Sequence, residues 1–198
     1  MEKQELNNYL LDKQLRQEAM KEISRSFPLT NEMLNEFSDE LDWKEVSRNG
    51  HINWTAELIE RWAHHIDWFQ FSHCANERIL TPNIIERFKD KWNWEVLSGN
   101  GSFEFSCELI DKYIDRWDWH NLIEILFDGY PSRNTCNNGF KELSPREFFE
   151  RYHEHIPMDD DFEDSPLWVN LVYEEQKKIE RQLVEETQLN GFQETRRR

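Results

Sequence analysis

Histidines and cysteines are the side chains of this chain whose chemistry suits metal binding. Four of them lie close together in the sequence, at His64, His65, His73 and Cys74. A zinc site needs a closed set of ligands, and adjacent residues of a helix point about 100° apart. His64 and His65 are therefore poorly placed to share one ion, and His153 and His155 are no better placed. The pattern predicts no metal site and no cofactor.

An acidic run near residue 160 is the second candidate for ion binding. It contains Asp159, Asp160, Asp161, Glu163 and Asp164. A calcium loop needs alternating oxygen ligands, a glycine in mid-loop and a terminal glutamate, and this spacing is absent. We interpret the run as a solvated turn whose carboxylates suit contact with Lys or Arg side chains of a partner.

Signatures of the common enzyme classes are missing from the sequence. It contains no glycine-rich phosphate loop and no Gly-x-Ser-x-Gly turn. Carboxylates are abundant, but acid–base catalysis needs positioned groups with shifted pKa values, which abundance alone does not indicate. We therefore predict that the chain is not an enzyme.

The dominant pattern is a repeat marked by Trp43, Trp68, Trp94 and Trp119. These tryptophans recur at intervals of 25, 26 and 25 residues, and each ends a similar segment. The four segments are residues 29–43, 54–68, 80–94 and 105–119. A fixed period of this size is typical of stacked repeats. The tryptophans are predicted to be the structural anchors of the repeats.

Each copy carries the signals of two helices. An apolar residue and then a hydroxyl residue begin the segment, and the hydroxyl residues are Thr30, Thr55, Thr81 and Ser106. Such residues favour helix N-caps. Apolar residues then follow at spacing i, i+1, i+4 and i+8, which makes one stripe on a helix. The Asp or Asn before each tryptophan caps a second helix or turns the chain, so one long and one short helix are predicted per repeat.

Smaller signals also recur after each tryptophan. Three copies place a serine at the same offset, at Ser47, Ser72 and Ser98. Asn49–Gly50 and Asn100–Gly101 are predicted to form turns. One such helix pair cannot bury its own apolar face, whereas stacked neighbours can.

These patterns together predict an all-α fold. We expect a right-handed, α-solenoid-like stack of helix-pair repeats with N- and C-terminal capping helices, forming a single compact domain. The predicted parts are a capping helix at 1–28, four repeats at 29–127, a loop at 128–142, and a degenerate repeat with a final helix at 143–198. Nine Trp and thirteen Phe residues provide large apolar side chains for the core.

The repeat resembles a known family. The pattern Glu–Leu–Ile–Glu–Arg–Phe–x–Asp–Lys–Trp–Asp–Trp, which residues 85–100 and 109–119 match best, is similar to WDW-type tandem helical repeats of bacteria, notably Bacteroidetes-type genomes, and their phages. The resemblance covers about residues 29–123. It implies a helical array and no particular chemistry, so it assigns no functional residue.

The charge distribution limits the partners. The net charge is −16, but residues 1–28 carry five basic and five acidic side chains and are neutral. The negative electrostatic field of the whole chain repels phosphate and favours a basic partner. Three cysteines without paired spacing and a polar start suggest a cytoplasmic protein, and no apolar run is long enough to predict a membrane span.

Our leading functional prediction is an acidic module that binds another protein. In character the chain resembles phage-encoded anti-CRISPR inhibitors, which implies a CRISPR or other nucleic-acid-processing effector as the partner. The predicted contacts are exposed acids, namely Glu57, Glu60, Asp90, Asp111, Asp115, Asp159, Asp160 and Asp161. Solubility alone is an equally open interpretation of the acidity.

Two alternative functions remain open at this point. The first is a structural or scaffold protein in which stripes at the ends of the array pair with another copy. The second is direct RNA or DNA binding through the basic tail of Arg196, Arg197 and Arg198.

Overall fold

A computed structural model describes residues 3–128, 140 and 142–196, with side chains over 8–128, 140 and 142–187. These residues form eleven α-helices and one 3₁₀ helix, and no strand occurs among them. The predicted all-α class and its successive helix pairs are confirmed, while the handedness stays a prediction. Most of the predicted loop at 128–142, and Cys136 within it, lies outside the described residues.

The helices form pairs joined by tight corners. A long helix, α1 (Lys3–Ser26), comes before α2 (Asn31–Glu36) with α3 (Trp43–Arg48), α4 (Ala56–Trp62) with α5 (Trp68–Cys74), α6 (Pro82–Arg87) with α7 (Trp94–Ser98), and α8 (Cys107–Lys112) with α9 (Trp119–Phe127). The chain continues with α10 (Pro145–Tyr152), the 3₁₀ helix (Phe162–Asp164) and α11 (Pro166–Arg196). The chain divides into two compact units, a first unit of Met1–Phe103 and a second unit of Glu104–Arg198.

Side-chain caps begin both helices of every pair, as the local sequence predicts. The oxygens of Thr30, Thr55, Thr81 and Ser106 each accept the backbone N–H three residues later. The second helices begin in the same manner at Asp42, Asp67, Asn93 and Asp118. Each cap satisfies a backbone donor that has no partner inside the helix.

The first helix of each pair is shorter than predicted, because its hydrogen bonds change partners. In a continuous helix the Ser38 carbonyl would accept the N–H of Asp42. It accepts the indole N–H of Trp43 instead, at 2.9 Å. Trp68 and Trp94 donate to the carbonyl five residues earlier in the same way, at 3.0 and 2.8 Å. The last residue of each apolar stripe therefore lies in turns, and the prediction of one long helix per repeat is wrong.

Buried serines link each helix pair of the first unit to the next pair. Ser47 Oγ donates to the carbonyl of Trp43 at 2.6 Å and accepts the backbone N–H of Asp67 at 2.9 Å. Ser72 repeats this arrangement one pair later, at 2.6 and 3.0 Å. We call this two-bond link, made by Ser24, Ser47 and Ser72, the serine bridge. The serine Oγ accepts the backbone N–H of the cap residue, because that N–H no longer has a carbonyl acceptor within the first helix.

The end of α1 takes part in the same scheme, although Ser24 lies outside the sequence repeat. Ser24 Oγ donates to the carbonyl of Met20 at 2.7 Å and accepts the N–H of Asp42 at 3.0 Å. Ser24 lies 18 residues before its partner, whereas Ser47 lies 20 residues before Asp67, so the offset differs from that of the repeats. The last turn of α1 therefore acts as the second helix of a repeat.

Two buried asparagine side chains fasten the ends of these helices. Asn49 Nδ2 donates to the carbonyls of Ser24 and Phe27 at 2.9 and 2.8 Å, while its Oδ1 accepts the N–H of His51. Asn100 makes equivalent bonds to two carbonyls at the end of α5, both at 2.9 Å. The predicted Asn–Gly turns thus have a second role, because these side chains satisfy helix-end carbonyls in the preceding pair.

The repeated tryptophans of the first unit pack against aromatic side chains at or just after the end of the first helix of the following pair. The ring centroids of Trp43 and Trp62 lie 4.9 Å apart, and those of Trp68 and Trp92 lie 5.3 Å apart. In the second unit, Trp119 lies 5.5 Å from Tyr152 of α10. Such offset and edge-on contacts are favourable for aromatic rings.

Removing one serine bridge should destabilise the fold. We expect Ser72→Ala to lower the free energy of unfolding by about 1–3 kcal/mol, because the part-buried N–H of Asn93 loses its acceptor. Ser26→Ala is the matched control, because Ser26 is exposed and bonds only the Glu22 carbonyl. Both values come from urea denaturation. A loss for Ser72→Ala no greater than that of the control would contradict the proposed role of the bridge.

Candidate partner-binding surfaces

The acids predicted as contacts in the first unit are exposed and engaged with neighbours. Glu57 lies in the first turn of α4, where a backbone N–H and the Thr55 hydroxyl lower the pKa of its carboxyl group. Glu60 forms an ion pair with Arg87. Asp90 is exposed and also interacts within the protein. These carboxylates face solvent, but each has a structural contact.

The acids of the second unit fall into two groups. Asp111 accepts the Arg151 guanidinium at 2.6 Å and the Tyr152 hydroxyl at 3.0 Å. Asp159 lies 3.1 Å from His120 Nε2. The remaining three are exposed and make no side-chain hydrogen bond or ion pair with the described part of the chain: Asp115, Asp160 and Asp161.

Arginine side chains of one helix pair contact an acidic or amide side chain of the preceding pair. Arg61 donates to Asn35 Oδ1 at 3.0 Å, and Arg87 pairs with Glu60 one repeat later. These contacts join successive repeats, whereas Lys89 and Glu86 form an ion pair within one repeat. Exposed pairs of this kind contribute about 0.2–1 kcal/mol each, so they orient the acids more than they stabilise the stack.

A small polar cluster surrounds Cys107 in the second unit. Its backbone N–H donates to the Glu142 carboxylate at 2.8 Å. Burial raises the pKa of the Cys107 thiol, and the neighbouring Glu142 acts in the same direction. Burial and the hydrogen bond to Asp111 also raise the pKa of the Tyr152 hydroxyl. Both groups stay protonated at neutral pH, and a protonated thiol is a poor nucleophile.

The candidate metal ligands serve as ring contacts. His65 stacks on Trp43 with ring centroids 4.5 Å apart, and His155 stacks on Trp119 at 5.3 Å. Cys74 and Cys107 are free thiols. Over the described residues, no group of three or more His, Cys, Asp or Glu side chains is arranged to bind an ion.

Apolar surface is exposed on the two longest helices, which the sequence predicts as capping helices. The first helix, α1, exposes Tyr9, Leu10, Leu11, Leu15 and Ile23, and Phe27 directly after it is also exposed. The last helix, α11, exposes Val169, Val172, Ile179, Leu183 and Val184. Part of α11 packs on α9, α10 and the 3₁₀ helix, but residues 176–187 are exposed. Unpaired apolar helix faces of this kind are typical of interaction surfaces.

A buried carboxylate attaches α1 to the first helix pair. Glu45 of α3 is 5% exposed, and its two oxygens accept Arg25 Nε at 2.9 Å and a terminal Arg25 nitrogen at 3.2 Å. These hydrogen bonds hold the pKa of the Glu45 carboxyl group below its usual value of 4.5. The ionised form is therefore the one that stabilises the attachment of α1.

The described helices include none that is both long and apolar enough to cross a bilayer. The basic residues Arg197 and Arg198 lie outside the described part of the chain, and Arg196 is the last residue of α11.

Comparison with known proteins found no matching family model, curated protein or solved structure. The resemblance to WDW-type repeats therefore stays a prediction, and the function has to be argued from the residues themselves.

Neutralising Glu45 should weaken the fold and reduce its acid sensitivity. The folded-state pKa of Glu45 lies below the usual value of 4.5, so the stabilisation is fully present above about pH 4.5. It is lost as the pH falls through the lowered folded-state pKa. We expect Glu45→Gln to cost about 1–2 kcal/mol at pH 7 and to flatten the decline of stability in acid. Urea denaturation between pH 3 and pH 7 measures both effects.

Glu40→Gln is the matched control, because Glu40 also pairs with an arginine of α1, Arg16, but both side chains are exposed. We expect this control to change stability by less than about 0.5 kcal/mol. Equal losses for the two variants would show that the buried position of Glu45 has no special effect.

Proposed function

We propose that this chain is a non-enzymatic module that binds another protein through exposed carboxylates. One observation carries the proposal: Asp115, Asp160 and Asp161 are exposed and have no side-chain partner in the described residues. Their charge is therefore available to lysine and arginine side chains of a partner. A net charge of −16 would also speed the encounter with a basic surface.

The fold is suited to rigid presentation of such a surface. In the second unit, which carries these acids, Asp111 accepts the Arg151 guanidinium and the Tyr152 hydroxyl, and the ring of Trp119 packs on Tyr152. A scaffold whose polar groups are already satisfied loses little conformational freedom when it binds. The exposed acids at its surface then carry the specificity.

The chemistry of the Cys107 cluster supports a non-catalytic role. The thiol and the Tyr152 hydroxyl both have raised pKa values and are therefore protonated at neutral pH. Neither group is activated as a nucleophile or a base, because activation requires a lowered pKa or an adjacent general base.

The sharper form of the proposal is an inhibitor of a nucleic-acid-binding effector in the host cytoplasm. Grooves that bind nucleic acid are lined by Lys and Arg because they contact phosphates. An acidic helical protein can occupy such a groove with carboxylates in place of phosphates. The anti-CRISPR character of the sequence is the reason for naming this class of partner.

A graded-salt capture experiment tests the proposal. The chain is immobilised, exposed to nuclease-treated host lysate, and the retained protein is identified and purified. We expect binding to weaken steeply between 0.1 and 0.5 M salt, because the Debye length falls from about 10 Å at 0.1 M as salt rises. The purified partner should lose binding to labelled nucleic acid as the chain is added.

Paired charge variants give the control. Asp160→Asn with Asp161→Asn removes two acids of the proposed surface, whereas Glu185→Gln with Glu186→Gln removes two exposed acids of α11. We expect the first pair to weaken binding at least about tenfold and the second about twofold or less. Binding that survives 1 M salt, or equal effects of the two pairs, would contradict the proposal.

A further inference from the structure

The first helix lacks one component of the repeat. In each helix pair of the first unit a tryptophan lies four residues before the buried serine, as Trp43 precedes Ser47. The residue four positions before Ser24 in α1 is Met20, and its carbonyl accepts the Ser24 hydroxyl in the same way. In the helix pairs, the indole ring at this position covers the first helix of the following pair. Residue 20 is a methionine, so α1 has no such ring.

The missing ring leaves an apolar groove beside α1. The groove has a volume of about 210 Å³, and Met20, Ile23, Phe27 and Phe37 are among the apolar side chains that line it. Phe37 is only half-buried, whereas Trp62 and Phe88 at the equivalent positions of the next two pairs are 7% exposed. The groove is thus an unfilled continuation of the contact between repeats.

An apolar ridge on α1 runs into this groove. Its residues recur every four positions, at Leu11, Leu15, Ala19 and Ile23 of α1 and at Phe27 directly after the helix, and all five are exposed. Residues at this spacing form the ridges that pack between helices, most commonly at a crossing angle of about 50°. The ridge is symmetric about Ala19, whose small side chain permits close approach of a second helix.

The charge of α1 identifies the occupant. Residues 1–28 carry five acidic and five basic side chains, whereas the rest of the chain is strongly acidic. A second copy of this chain is repelled by the other surfaces and can approach at this neutral segment. The basic partner proposed above is attracted to the acidic surfaces and gains no such advantage at α1.

We infer that two copies of the chain form an antiparallel dimer through α1, with the two-fold axis near Ala19. Leu15 then lies against Ile23 of the partner subunit. Leu11 reaches the groove beside Phe27 of the partner subunit and takes the place of the missing indole ring. The contact is isologous, so it closes at two copies. This inference uses a surface separate from the exposed acids and stands without the proposed partner.

Sedimentation velocity of the full chain tests the dimer. We expect a dimer with a dissociation constant of about 10 μM or below. Leu15→Glu should weaken it at least about tenfold, because the ridge would carry a charge at the centre of the contact. Leu183→Glu is the matched control, since Leu15 and Leu183 are 60% and 59% exposed. Circular dichroism should show unchanged folding in both variants.

Cysteine cross-linking tests the geometry. Under mild oxidation Ala19→Cys should yield a covalent dimer, because the two-fold axis brings the two cysteines together. Gln17→Cys, on the opposite side of α1, should yield no more than the parent chain. A monomeric parent chain at 100 μM, equal weakening by Leu15→Glu and Leu183→Glu, or equal cross-linking at positions 17 and 19 would each overturn the inference.

Discussion

The serine bridge is the interaction on which the first unit depends. At each corner between helices, one backbone carbonyl accepts an indole N–H instead of a helical backbone N–H, as the Ser38 carbonyl accepts the indole N–H of Trp43. The cap residue's N–H then needs another acceptor, and a buried serine of the preceding pair provides it. A buried donor left without an acceptor costs about 1–3 kcal/mol. The same bonds that end one helix therefore fasten it to its neighbour.

This arrangement separates the roles of the residues. Serine, asparagine and tryptophan side chains satisfy the buried polar groups, so the charged residues are not needed to stabilise the corners. Apart from the buried Glu45, they lie at the surface in the described residues, where arginines of one pair contact an acidic or amide side chain of the pair before it. The last turn of α1 joins the scheme through Ser24 and Arg25 but has Met20 in place of a tryptophan. The end of α1 is therefore held to the first helix pair by hydrogen bonds, while part of the apolar surface beside it stays uncovered.

Local signals predicted much of this fold. Thr30, Thr55, Thr81 and Ser106 were recognisable as caps because a cap bonds an N–H only three residues away. The shorter first helices were not predictable, because they depend on an indole bond and on a serine about twenty residues earlier. The exposure of the candidate acids was predictable, because they are charged residues outside the apolar stripes or, at Asp159 to Asp161, in an acidic turn. Their pairing across repeats did not, since Arg151 reaches Asp111 from 40 residues away.

Hydrogen exchange of the cap-residue amides tests the serine bridge most directly. The N–H groups of Asp42, Asp67 and Asn93 lie at the ends of turns, where exchange is ordinarily fast. If each donates to a buried serine, these amides should exchange as slowly as the helical amides of Val46 and Leu97, through the same cooperative opening. Exchange at the rate of open turns while the neighbouring helices stay protected would contradict the account.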